Sequence, residues 1–243
     1  VASEIKSKTA IESLTLRVSS YRAHCLKAGS GPPVVLLHGG ASDSRDWVNT
    51  MSALAQRYRL YAPDLIGYGQ SERRESGYYL SDFSEFIMGF IETLGLERPA
   101  LVGHSFGGRV CLEAARRHPE KVSKMVLVDA AGLGNMSPLG NILHTVFWTA
   151  RKLTRRRQPF PKFLTRDGEE DSWLCVDELP NLKTPTLIIW KRHDHYLPLA
   201  LARRAEKLIP EARLEVLPGY GHAPHKQNNE AFNRLLVDFL DHG

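Results

Sequence analysis

Ser105 stands in Gly103-His104-Ser105-Phe106-Gly107-Gly108, with a glycine two positions away on each side. A serine hydroxyl becomes a working nucleophile only when a base removes its proton. The surrounding pattern prepares Ser105 for that role. The apolar run Ala100-Leu101-Val102 leads in, and a helical pattern from Phe106 to His118 leads out and stops before Pro119. Strand, G-x-S-x-G, helix is the order in which this motif marks a nucleophile on a sharp turn. The turn is too tight for large neighbours, and it holds the serine in a strained conformation with its hydroxyl exposed. The helix N-terminus beneath it favours developing negative charge.

Ten histidines compete for the role of base. His222 is singled out by Pro218-Gly219-Tyr220-Gly221-His222-Ala223-Pro224, a glycine-rich loop just past the apolar run Leu214 to Leu217. In a parallel α/β sheet such a loop lies at the carboxyl edge, where these folds place their chemistry. His225 is the nearest rival, and His104 is expected to point away into packing. An acid must orient the imidazole and stabilise its charged form. Asp194, after the run Thr186 to Trp190 and before Pro198, gives the order Ser, Asp, His. Asp129, ending the preceding strand, is the other candidate and is read as a cap for backbone amides. His38-Gly39-Gly40 follows the strand Val34 to Leu37 and offers a turn that can aim a backbone N–H. The amides of Gly40 and Phe106 are the expected oxyanion donors, each worth about 3 kcal/mol of barrier.

These loops need a sheet to hold them. Leu14 to Val18 and Tyr21 to Leu26 alternate apolar and polar residues and predict an opening hairpin. Short apolar runs follow at Val34–Leu37, Leu60–Ala62, Ala100–Val102, Met125–Val128, Thr186–Trp190 and Leu214–Leu217, as strands buried on both faces read. Helical spacing lies between them, at Phe83 to Leu94 (capped by Ser81 or Asp82), Leu199 to Leu208 and Glu230 to Leu240. Alternating strands and helices predict an α/β fold with a mostly parallel central sheet and helices on both faces. One interval breaks the rhythm. Ile142, Leu143, Val146, Phe147, Ala150 and Leu153 form an apolar stripe at helical spacing, with a second short helix expected around Glu169 to Val176. Residues 133–179 are read as a short inserted cap on a core of 1–132 and 180–243.

Composition narrows the class. A chain of 243 residues, 42% hydrophobic and 24% charged, suits one globular domain with a small insertion. The net charge of +5 is concentrated in Arg151-Lys152 and Arg155-Arg156-Arg157, read as a solvated helix end. No nucleic-acid motif accompanies it. No apolar run spans a bilayer, and Val1 to Ala10 is polar, so neither membrane insertion nor a signal peptide is expected. Three scattered cysteines, Cys25, Cys111 and Cys175, read as small apolar residues in a reducing cytoplasm. No metal cluster or nucleotide loop is visible, so no cofactor is inferred.

With these motifs in hand, the chain resembles the α/β-hydrolase superfamily, in its branch of carboxylesterases, lipases and C–C bond hydrolases. His38-Gly39-Gly40 is similar to the family's oxyanion loop, and Pro63-Asp64-Leu65-Ile66-Gly67-Tyr68-Gly69-Gln70-Ser71 to the loop after its next strand. Gly103 to Gly107 resembles its elbow, Asp194 with Pro198 its acid loop, and Gly221-His222-Ala223-Pro224-His225 its histidine loop. The resemblance spans about Leu14 to Leu240 and implies the α/β-hydrolase fold. Lys191 stands where the family usually has glycine, which implies an altered acid loop. A serine at position 105 argues against dehalogenase and epoxide hydrolase chemistry, which use aspartate. Asp64 is read as a structural turn residue.

The expected function is hydrolysis of short- to medium-chain carboxylic esters through a Ser105–His222–Asp194 triad and an acyl-enzyme. Gly39, Phe147, Trp148 and Trp173 are candidates for the substrate pocket, and a small-molecule ester is the expected partner. The alternatives are a C–C bond hydrolase of ring-cleavage diketones, and a slow-turnover ligand-binding protein of the same fold. C–C hydrolases often carry tryptophan after the histidine, where Ala223 stands here, although Arg166 or another cap arginine could serve a substrate carboxylate.

Overall fold

The computed structural model describes residues 10–154, 161–164 and 175–243. Its first strands, β1 (Glu12–Val18) and β2 (Tyr21–Ala28), form the expected antiparallel hairpin. β3 (Pro33–Leu37), α1 (Val48–Leu54), β4 (Arg59–Pro63), α2 (Leu80–Thr93), β5 (Ala100–His104), α3 (Phe106–Arg117) and β6 (Met125–Val128) follow. Then come α4 (Pro138–Leu153), β7 (Thr186–His193), α5 (Leu199–Leu208), β8 (Arg213–Tyr220), α6 (Pro224–Gln227) and α7 (Asn229–His242). The eight strands form one sheet in the order β1-β2-β4-β3-β5-β6-β7-β8. β2 runs antiparallel to β1 and β4, and the pairs from β4 to β8 are parallel.

Both faces of the sheet are covered because alternate residues of each strand point opposite ways. Val34 and Leu36 of β3 pack with Leu60, Val102, Val126 and Val128 against Trp47 at the start of α1, Met51 within it, and Phe232 and Leu236 of α7. Val35 and Leu37 face the other way, into a core with Phe83 and Ile87 of α2 and Val110 and Cys111 of α3. Each fully buried side chain of this size contributes roughly 1.5–3 kcal/mol. All three cysteines are free and buried. No helix among the described residues is long and apolar enough to cross a membrane.

Two local expectations change. The start of α2 is not capped by Ser81 or Asp82, both of which lie inside it. Its N-cap is Tyr79, whose backbone N–H donates back to the Asp82 carboxylate at 2.9 Å. The second helix expected around Glu169 to Val176 falls mostly outside the described residues, and Val176–Asn181 is a 3-10 turn. Val1 to Thr9, Arg155 to Arg157, Arg166 and Trp173 also lie outside them.

The apolar stripe of the interval does form a helix, α4. Ser137 caps it by accepting the Gly140 N–H at 2.8 Å, Pro138 starts it, and Arg151 and Lys152 favour its C-terminal end. The stripe is largely unburied, with Ile142 61%, Val146 60% and Leu153 78% exposed.

Candidate active site

β5 ends at His104, and Ser105 turns the chain into α3 with φ of +49° and ψ of −113°. That left-handed φ is costly for a serine and persists only where the surroundings enforce it. The glycines explain how. A Cβ on Gly103 would stand 2.4 Å from Gly107 O, and one on Gly107 would stand 2.4 Å from Leu37 O. Only bare Cα atoms let β3, β5 and α3 approach this closely. Backbone bonds finish the clamp, with Ser105 N–H donating to Val128 O at 2.9 Å and Ala131 N–H to Ser105 O at 2.9 Å.

The base arrives from the far side of the sheet. His222 follows β8, and its Nε2 lies 2.9 Å from Ser105 Oγ. Its Nδ1 lies 2.6 Å from Asp194 Oδ2. Asp194 follows β7 and is held in turn, its Oδ1 accepting the N–H groups of Tyr196 at 2.7 Å and Leu197 at 3.1 Å. The structure thus brings Ser105, His222 and Asp194 into one hydrogen-bonded line. A carboxylate on Nδ1–H leaves Nε2 as the lone pair facing the hydroxyl, the tautomer needed to accept its proton.

The rivals sit elsewhere. His225 is buried against Trp47, with ring centroids 4.4 Å apart, and away from Ser105's bond to the base. Burial lowers its pKa to about 3, so it stays neutral. His104 is buried as expected, but it does more than pack, since its Nε2 bonds the backbone carbonyl of His222. Asp129 caps a backbone amide as expected, its Oδ1 accepting Lys191 N–H at 2.8 Å. Asp64 is a structural knot. It accepts from Ser44 N–H at 2.7 Å and Gln70 N–H at 2.8 Å and pairs with His24 at 2.8 Å. Lys191, the residue at odds with the family pattern, is buried, and its ammonium bonds Pro218 O at 2.8 Å and Asn228 Oδ1. It ties β7 to both sides of the histidine loop.

The His38-Gly39-Gly40 loop shows a part that the sequence alone did not give. His38 is buried, and its Nδ1–H donates to Gly39 O at 2.8 Å while Nε2 accepts Leu65 N–H at 3.0 Å. Ser42 N–H also donates to Gly39 O. The carbonyl of Gly39 and the N–H of Gly40 belong to one planar trans peptide and point opposite ways. Fixing the carbonyl therefore fixes the amide. The N–H of Phe106, at the first position of α3, is one that a helix leaves without an intrahelical partner.

Gly39, Gly40, Ser105, Phe106 and His222 line a cavity of about 410 Å³, walled further by Ala131, Met136, His144, Phe147, Tyr196 and Leu197. Phe147 is therefore at the cavity. Trp148 is not among its lining residues; it stands behind, donating its indole N–H to His144 Nε2 at 2.8 Å. His144 and Tyr196 lacked a motif to mark them. At the rim, Lys226 pairs with Asp46.

A strained serine at a strand-to-helix turn, a base and acid from later loops, and amides at two glycine-rich edges define one class. The chain matches the alpha/beta hydrolase fold family over residues 32–167 and 147–229, and it belongs to that family. It is 26% identical, over 288 aligned positions, to the 2-hydroxy-6-oxononadienedioate/2-hydroxy-6-oxononatrienedioate hydrolase of Comamonas testosteroni, covering 99% of this chain and 100% of that protein. The solved meta-cleavage product hydrolase from Pseudomonas fluorescens IP01 is 26% identical with a TM-score of 0.78, covering 94% of this chain and 97% of that one. A carboxylesterase from Bacillus subtilis shares the fold, with a TM-score of 0.79 at 22% identity over 96% of this chain and 93% of that one. The alignment to the Comamonas protein is longer than this chain's 243 residues, so that relative carries dozens of residues without a counterpart here.

Proposed function

We propose that the protein hydrolyses short- to medium-chain carboxylic esters through an acyl-enzyme on Ser105. The observation that carries this reading is the continuous bond line from Ser105 Oγ through His222 to Asp194, opening into an apolar cavity of about 410 Å³. Ser105 Oγ attacks the acyl carbon while His222 Nε2 takes its proton, and Asp194 holds the imidazolium. The amides of Gly40 and Phe106 receive the oxyanion. His222 then protonates the leaving alcohol, and water attacks the acyl carbon with His222 again as base. Phe147 and Met136 would bound the acyl chain, with residues 133–179 as a cap over a core of 1–132 and 180–243. Three buried free cysteines support a reducing compartment, the cytoplasm.

The names of the whole-chain relatives favour the second reading, hydrolysis of a C–C bond in a ring-cleavage diketone. The same serine would attack the ketone carbon. A substrate named as a dioate brings carboxylates that need a cation. Among the described lining residues that cation is Lys226, already paired with Asp46.

Initial rates on p-nitrophenyl esters from acetate to palmitate, and on a 2-hydroxy-6-oxo dienoate, separate the two readings. Ester turnover peaking at short chains, with kcat/KM falling at least about 10⁴-fold in Ser105→Ala, supports the first. Ser105-dependent turnover of the dienoate alone overturns it in favour of the second. A single turnover with product retained points instead to the ligand-binding alternative.

A further inference from the structure

Asp129 follows β6 and is fully buried. Its φ of +40° lies in the left-handed region, a cost that its surroundings must enforce. Capping Lys191 N–H occupies Oδ1 and leaves Oδ2 unaccounted for. That oxygen is buried, makes no hydrogen bond, and lies 3.9 Å from His222 Nδ1. The same Nδ1 is bonded by Asp194 Oδ2 at 2.6 Å. Facing atoms of Asp129, Asp194 and His222 all lie within 4.8 Å of one another. Two carboxyls thus meet one imidazole edge, one in contact and one a short step behind.

We infer that Asp129 is a second acid of the site, a positioning residue that stands behind Asp194 on the same imidazole edge and takes over the orientation of His222 when Asp194 is lost. The inference rests on the triad reading above. The groups facing Asp129 decide which carboxyl keeps the proton. Asp194 and His222 stand beside it, and the Lys191 ammonium is engaged by Pro218 O and Asn228 Oδ1. Burial, and then repulsion from Asp194, push the Asp129 carboxyl well above the ordinary range, against the Lys191 N–H bond and charge. Asp129 is therefore the carboxyl of the two that burial and its neighbour push toward the neutral form. Replacing Asp194 by asparagine removes the repulsion and leaves Asp129 as the acid on Nδ1. Its burial remains, so it ionises only at raised pH.

The rate at which a fluorophosphonate labels Ser105 tests this without knowledge of the substrate, because displacement of fluoride needs only an activated serine. Asp129→Asn keeps an oxygen for Lys191 N–H, and labelling should stay within about threefold of wild type. Asp194→Asn should slow labelling about 10²- to 10³-fold, and adding Asp129→Asn at least about tenfold further. The pH profile of Asp194→Asn should show an alkaline rise that the double variant lacks. Thermal melting separates these effects from loss of fold. A double variant no slower than Asp194→Asn, with the same pH profile, overturns the inference. So does Asp129→Asn as slow as Asp194→Asn, which would also displace Asp194 as the working acid. A wild-type protein that resists labelling overturns the triad reading, and this inference with it.

Discussion

The floor of the cavity, where β5 turns into α3, is closed in on every side, whereas its wall, α4, turns most of its apolar stripe outward. At the floor, backbone atoms stand so close that one added methyl group finds no space. Below it lies a buried charge cluster in which Glu113 bonds Arg109 at 3.1 Å, Arg116 at 2.8 Å, and Arg117. The wall is fastened mainly at its first turn. Ser137 N–H donates to Tyr196 O at 2.8 Å, its hydroxyl reaches His195 O, and Gly140 lies against the Tyr196 backbone. Beyond that turn Phe147 reaches the cavity, while Ile142 and Val146 meet solvent. The contrast teaches a division of labour. Atoms around Ser105 are close-packed, whereas the apolar stripe of α4 beyond its first turn can change without disturbing them.

Substitutions test that contrast, and Gly107→Ala should have the largest effect. Its methyl group would overlap the carbonyls of Leu37 and His38, so a loss of about 3 kcal/mol or more and of Ser105 labelling is expected from denaturant unfolding and probe kinetics. Glu113→Gln should cost about 3 kcal/mol, because it removes the buried carboxylate charge that Arg109, Arg116 and Arg117 bond. Burial alone would raise the Glu113 carboxyl, but bonds to Arg117 and Arg116 and the charge of Arg109 outweigh it and leave it at about 2. Its contribution to stability should therefore hold above the ordinary value of 4.5 and fade as pH drops toward 2.

His225 gives a smaller, pH-dependent effect. Burial holds it at about 3 when folded against 6.5 ordinarily, so the unfolded chain takes up a proton first as pH falls. Between pH 6.5 and 5 this should remove roughly 2 kcal/mol from wild type that His225→Leu does not lose, measured by chemical denaturation at both pH values. At the wall, Ile142→Ser and Val146→Ser should change stability by no more than about 0.5 kcal/mol. A large loss there would mean that α4 is as tightly built in as the floor.

The sequence discloses the floor far better than the wall, and the reason is steric. Gly103, Ser105 and Gly107 are dictated by the turn itself, so their spacing is readable without a structure. His222 and Asp194 likewise stand in loops whose position a parallel sheet prescribes. The apolar stripe of α4 was equally visible, but periodicity gives a helix and not what it packs against. Trp148 looked like a pocket residue because aromatic side chains in a cap favour cavities; its indole N–H is instead bonded to His144, one turn earlier on the same helix face. His38 was legible as part of the His38-Gly39-Gly40 loop, but its contacts were not, because they run to the carbonyl of Gly39 and the N–H of Leu65 and leave no mark in residue spacing. Asp129 was legible as an amide cap, whereas its nearness to His222 emerges only from the pairing of β6 with β7.

The bond between His104 and the carbonyl of His222 joins residues that are far apart in the chain, at β5 and after the edge strand β8. During synthesis the centre of the sheet is made long before that edge exists. A growing polypeptide thus carries its serine for many residues without a partner to activate it. The hydrogen-bonded line from Ser105 through His222 to Asp194 is complete only when the last strand has joined the sheet.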